Sequence, residues 1–261
     1  MNSIALISLL VLILVIVIGF VRKINVGLVA ILAAVILGSA VGDSDSDIIG
    51  GFGASLFIML LGVSLQITNG FANPFITSFR DIPQYASTFG ANHANALISL
   101  SQVSETLCIL LIPFFLKRFG IKNVMLMAMF AWVLRFGLFG LGNPGSGVWM
   151  FVLSMIVYGV AFDFFNISGS LFVNKETDVA IRSSAQGLFM IMTNGVGATI
   201  GTLGAQAVVN RCVYSQSTPE AMVGGWSESW LIFAGYALVV TLVFALVFRY
   251  RHDPAALAGE S

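Results

Sequence analysis

Charge is scarce in this chain. Only 9% of its 261 residues are Asp, Glu, Lys or Arg, and twelve cations balance twelve anions. A soluble domain carries about 25% charged residues, so most of this surface cannot face water. No basic run is long enough to suggest nucleic acid, and no nucleic-acid partner is expected. Two histidines and two cysteines leave no cluster spaced to hold a metal, and no cofactor is expected. Cys108 lies in an apolar run and Cys212 in a polar loop, so two free thiols are expected in place of a disulfide. A phosphate-binding loop and a nucleophile elbow are also missing, and the chain is read as a non-enzyme.

Apolar residues fill the space that charge leaves. Hydrophobic side chains make up 58% of the chain and the mean hydropathy is +0.97. Runs of about eighteen or more apolar residues give roughly eight membrane spans. They cover approximately 3–21, 24–42, 50–76, 95–116, 123–141, 147–173, 184–209 and 228–248. The first run lacks a charged leader and is longer than a signal-peptide core, so a two-helix hairpin is expected in its place. The runs are far longer than barrel strands and show no alternation, which excludes a β-barrel. The fold class is therefore all-α, a polytopic transmembrane helix bundle.

Lys and Arg set the orientation. Lys117, Arg118 and Lys122, then Lys175 and Arg182, then Arg249 and Arg251 fall on one side of the last six spans. The Arg80 loop, the Gly142–Gly147 turn and the Asn210–Ser227 loop fall on the other. Both termini are thus expected in the cytoplasm. Arg22 and Lys23 end up outside, against the rule, with the acidic Asp43–Asp47 loop inside.

Ionisable groups inside the hydrocarbon are functional candidates by default. Gln66 and Asn69 share a face of the third span, Gln102 and Glu105 a face of the fourth. Tyr158, Phe162 and Asp163 lie within one and a half turns of the sixth, with Asn166 one turn further on. At about 1.5 Å per residue, all lie within roughly 10 Å of the midplane, where transporters place polar substrate sites. A lone Gln or Asn could equally join helices, and Tyr158 with Phe162 alone would be ordinary packing. The two carboxylates together favour function. Arg135, deep in its span about one to two turns from the outer end, is expected to snorkel or to pair structurally before it binds substrate. Gly197 and Gly201 read as a close-packing pair.

At these residues the chain resembles a known family. Leu65–Asn69, Ser101–Thr106, Arg118–Lys122, Trp132–Gly137, Tyr158–Asn166 and Arg182–Gly187 resemble, in order, blocks of the C-terminal six-helix half of a nucleoside:proton symporter of the major facilitator superfamily. The resemblance runs from about residue 61 to 251. It implies a nucleoside site between two six-helix halves, with Gln66, Asn69, Gln102, Glu105, Tyr158, Phe162 and Asp163 as this half's contribution. It also implies nucleoside and protons as substrates, a lipid bilayer as surroundings and the cell inner membrane as location. A carboxylate that sheds its hydration can carry a proton through a transport cycle, and Asp163 is the first choice for that role, then Glu105. Residues 1–64 resemble instead the N-terminus of a malonate or dicarboxylate carrier, carried by Gly19–Leu28 and Ile48–Val63.

The expected organisation is a hairpin over 1–49, a six-helix transporter half over 50–251 and a cytoplasmic tail over 252–261. Proton-coupled nucleoside uptake is the leading function. Two alternatives stay open: an incomplete half or chimera that does not transport by itself, and a dicarboxylate carrier. The latter would need basic groups near the midplane, where only Arg135 could serve. A second chain completing the cavity is an open partner.

Overall fold

The structure is a computed structural model that describes residues 45–177, 179 and 182–248. The two expected spans at 3–21 and 24–42, and the tail over 252–261, lie outside the described residues. Helix α1 runs Asp45–Ser78 and a 3-10 turn Phe79–Asp81 follows; α2 is the short Phe89–Asn92. Helix α3 spans Ala94–Leu141 and α4 Val148–Glu176. Helix α5 (Arg182–Met190) continues through a π-helical stretch, Ile191–Gly197, into α6 (Ala198–Cys212), and α7 is Pro219–Val247. Among the described residues there is no strand. Four helical stretches, Ala94–Leu141, Val148–Glu176, Ala185–Cys212 and Pro219–Val247, are long and apolar enough to cross a membrane.

Forty-eight residues of straight α3 would reach about 70 Å, more than twice the roughly 30 Å of a hydrocarbon core. The helix instead breaks at Gly120, whose φ of 76° and ψ of 167° lie where a side chain would be strained. The arms, 94–119 and 121–141, flank α4 in opposite directions. On the first arm Ser101 meets Met155 and Phe115 meets Phe164; on the second Trp132 meets Tyr158 and Phe139 meets Phe151.

Glycines set how close α1 comes to the π-helical stretch. A Cβ on Gly62 would overlap the Thr193 carbonyl, one on Gly197 the Met59 carbonyl, and one on Gly201 would lie 2.7 Å from Val63 O. The Gly197–Gly201 pair is thus a packing surface, and it packs against α1. Tyr236 Oη of α7 donates to Leu60 O of the same helix at 2.7 Å.

Two expected boundaries are corrected. The acidic Asp43–Asp47 loop gives way to α1 at Asp45. The Asn210–Ser227 loop is mostly helix. Helix α6 reaches Cys212, and α7 starts at Pro219 behind Thr218, whose hydroxyl accepts from Ala221 N at 3.3 Å. Glycine and polar residues interrupt the apolar run there, yet Trp226, Ser229, Trp230 and Phe233 share one buried stripe. Trp226 and Trp230 pack on Phe75 at 5.8 and 5.6 Å. Cys108 and Cys212 are buried free thiols.

Candidate functional site

The candidate site is built where the two arms of α3 face α4. Gly159 has no side chain to fend off the first arm, and a Cβ there would lie 2.6 Å from Ser104 Oγ. Ser104 enters that space and donates to Ile156 O, while Ser101 donates to Met155 Sδ at 3.1 Å. These contacts fix the turn that carries Glu105, which is half-buried.

From the second arm comes Arg135, 1% exposed. It does not snorkel. Nη1 donates to Ser154 O at 2.6 Å, Nε to Thr68 Oγ1 at 3.3 Å, and Met155 Sδ lies 3.8 and 3.9 Å from Nη1 and Nη2. Its guanidinium carbon sits 4.3 Å from the centroid of the Tyr158 ring and 5.0 Å from that of Phe139. Such a contact is worth about 2 kcal/mol when water is excluded. The structural pairing expected for Arg135 is found, directed inward. The bond to Thr68 also ties this cluster to α1, two residues past Gln66.

Tyr158 is held on three sides. Trp132 meets it edge-on at 5.8 Å, Arg135 covers one face, and Phe162 lies parallel at 5.7 Å with 2° between planes. One residue on, Asp163 is 5% exposed and its Oδ2 has no hydrogen-bond partner among the described residues. Glu105 is in electrostatic reach of both Arg135 and Asp163. A buried carboxylate oxygen without a donor is costly, and functional sites are where such groups are kept.

Glu105, Tyr158, Phe162 and Asp163 thus come together. Gln66 is half-buried, Asn69 and Gln102 are exposed, and no hydrogen bond joins them to the carboxylates among the described residues. Asn166 is spent on its own helix, donating to Phe162 O at 3.0 Å. The gap bounded by Leu65, Trp132, Phe162, Asn166 and Thr193 holds only about 10 Å³, room for no more than one water. Sequence reading did not single out Trp132 or Thr68, or the inward turn of Arg135. The signal was present for Arg135: Trp132, Arg135, Phe136 and Phe139 recur at helical spacing on one face.

Residues 53–253 match the nucleoside H+ symporter family. The chain belongs to that family. Residues 1–77 of this symporter-family chain also match the N-terminus of the dicarboxylate carrier protein MatC. The nucleoside permease NupG of Escherichia coli K12 is 53% identical over 198 residues, which are 76% of this chain and 46% of the permease. The xanthosine permease of the same organism is 53% identical over 200 residues, again 76% and 46%. A crystal structure of nucleoside transporter NupG superimposes with a TM-score of 0.69 at 52% identity, covering 76% of this chain and 47% of that one. The chain therefore spans about half the length of the curated relatives it matches. Family and helices together make it a multi-pass membrane protein.

Proposed function

We propose that the chain supplies the C-terminal half of a proton-coupled nucleoside transporter of the cell inner membrane. It crosses the bilayer eight times, a hairpin over 1–49 preceding a six-helix half over 50–251, with both termini and the 252–261 tail in the cytoplasm. Tyr158 and Phe162 offer the base a π-face, and Gln66, Asn69, Gln102 and Glu105 hold the ribose hydroxyls or the base edge. Asp163 carries the proton, with Glu105 beside it. The carrying observation is the buried, unpartnered Asp163 oxygen next to a parallel aromatic pair and in reach of a second carboxylate. The two exposed amides and the gap of about 10 Å³ fit a cavity whose other wall comes from a second chain or a further half.

A competing reading is a half-transporter or chimera that folds but does not transport alone. The match of residues 1–77 to a different carrier and the half-length overlap favour it. A dicarboxylate site is weaker, because the Arg135 donors face Thr68, Ser154 and Met155 inside the bundle. Equilibrium binding of uridine, adenosine and malonate to the purified chain separates the three. Saturable uridine or adenosine binding supports the nucleoside reading, malonate alone the carrier, and no binding the half that needs a partner.

A further inference from the structure

A second opening in the described residues lies at the end of the bundle that carries the Arg80 loop. A cleft of about 350 Å³ there is lined by Asn73, Thr77, Arg80, Asn92, His93 and Asn95, with Ala94 and Ala96 between them. Small-molecule sites begin at about 300 Å³, so this opening is of ligand size where the gap at Phe162 is not.

Its lining is organised. Asn73 Nδ2 of α1 donates to Asn95 Oδ1 of α3 at 2.6 Å. That bond leaves an acceptor, Asn73 Oδ1, beside a donor, Asn95 Nδ2, the pairing that reads a nucleobase edge or a pair of hydroxyls. Arg80 fixes the floor: Nε donates to Ala91 O at 2.7 Å and Nη2 to Asn92 O at 3.0 Å. Asn92 Nδ2 in turn reaches Ala86 O at 2.7 Å and Thr88 O at 3.1 Å, which presents its Oδ1 as another acceptor. The remaining polar groups are a hydroxyl and an imidazole, and no carboxylate lines the cleft. With two of its guanidinium nitrogens engaged by backbone carbonyls, Arg80 braces the cleft. Three amides and a hydroxyl suit a ligand rich in hydroxyls and amide-like edges.

The cleft also lies in line with the midplane groups. Asn69 and Asn73 are one turn apart on α1, and Asn95 and Gln102 two turns apart on α3, so each pair shares a helix face. Seven residues of helix, from Gln66 to Asn73, rise about 10 Å. Between Asn69 and Asn73, the Gly70 carbonyl lacks its helical donor because Pro74 has no N–H. Polar groups therefore step from the cleft toward Glu105 on two neighbouring helices.

We infer that this cleft is a second nucleoside site, where substrate docks before it moves along the Asn73–Asn69 and Asn95–Gln102 faces to the aromatic pair. The inference rests on the nucleoside-transport reading. Photolabelling the purified full chain with 8-azidoadenosine, in the presence and absence of excess adenosine, tests it. Adenosine-sensitive label is expected in two separate segments, 73–96 and 158–166. Asn95→Ala, at an exposed position, should cut the label in 73–96 by roughly threefold to tenfold, the worth of one hydrogen bond, and leave 158–166 unchanged. Phe162→Ala should do the reverse. Label confined to 158–166, or label in 73–96 that Asn95→Ala does not change, overturns the outer site while the transport reading stands. Absence of adenosine-sensitive label from both segments overturns the outer site together with nucleoside binding by this chain alone.

Discussion

Replacing Asp163 by Asn separates a proton carrier from a helix-joining group. If the carboxylate tied α4 to a neighbour, the substitution would remove a hydrogen bond to a charged group, worth about 1.5–3 kcal/mol. Among the described residues Oδ2 meets no donor in a position 5% exposed, so no such bond is lost. The new amide is left equally unpartnered, and what it costs offsets what the missing charge relieves. The net change in stability should stay within about 1 kcal/mol, a shift in thermal midpoint under about 4 °C for a chain of this size. Differential scanning fluorimetry in detergent reads this directly. Nucleoside binding should survive in part, since the amide keeps the size and hydrogen-bonding capacity of the carboxyl. Accumulation driven by a pH gradient in proteoliposomes, with the second half supplied if the chain needs it, should vanish. A midpoint lowered by well over 5 °C would mean that Asp163 joins helices after all. Unchanged pH-driven accumulation would remove it as the carrier and leave Glu105.

Three further outcomes follow from the packing and the charge pattern. Gly62→Ala should sharply lower the yield of folded protein, because its Cβ would overlap the Thr193 carbonyl; Gly195→Ala, whose nearest neighbour would be Ile191 Cγ2 at 3.7 Å, should not, and size-exclusion profiles compare them. Arg135→Gln strips Tyr158 of its cation and Ser154 O of its donor, at a cost of about 3 kcal/mol, while Arg135→Lys should recover only part of the lost thermal stability. Cysteines placed at the exposed Ser146 and Ser183 should react with an impermeant maleimide from opposite sides, Ser146→Cys in intact cells and Ser183→Cys only after permeabilisation. The buried native thiols keep the background low, and reaction of Ser183→Cys in intact cells would reverse the topology.

The sequence by itself determined that the chain is helical, where its long apolar runs lie and which polar residues interrupt them. Apolar run length must match the bilayer, and the helical rise per residue is fixed, so Glu105 and Asp163 could be expected at one level before any contact was known. The Lys117–Lys122 turn was legible for the same reason, and the break at Gly120 falls inside it. Hydropathy does not report which way a helix is rotated or what its neighbours offer. The start of α7 at Pro219 was hidden because its buried stripe is interrupted by glycine and polar residues that face elsewhere. Only the tertiary structure turned Arg135 inward, since the groups that receive it, Thr68, Ser154, Met155 and Tyr158, come from two other helices. Only the tertiary structure left Asp163 Oδ2 without a donor, because that depends on every side chain packed around it and on none adjacent in sequence.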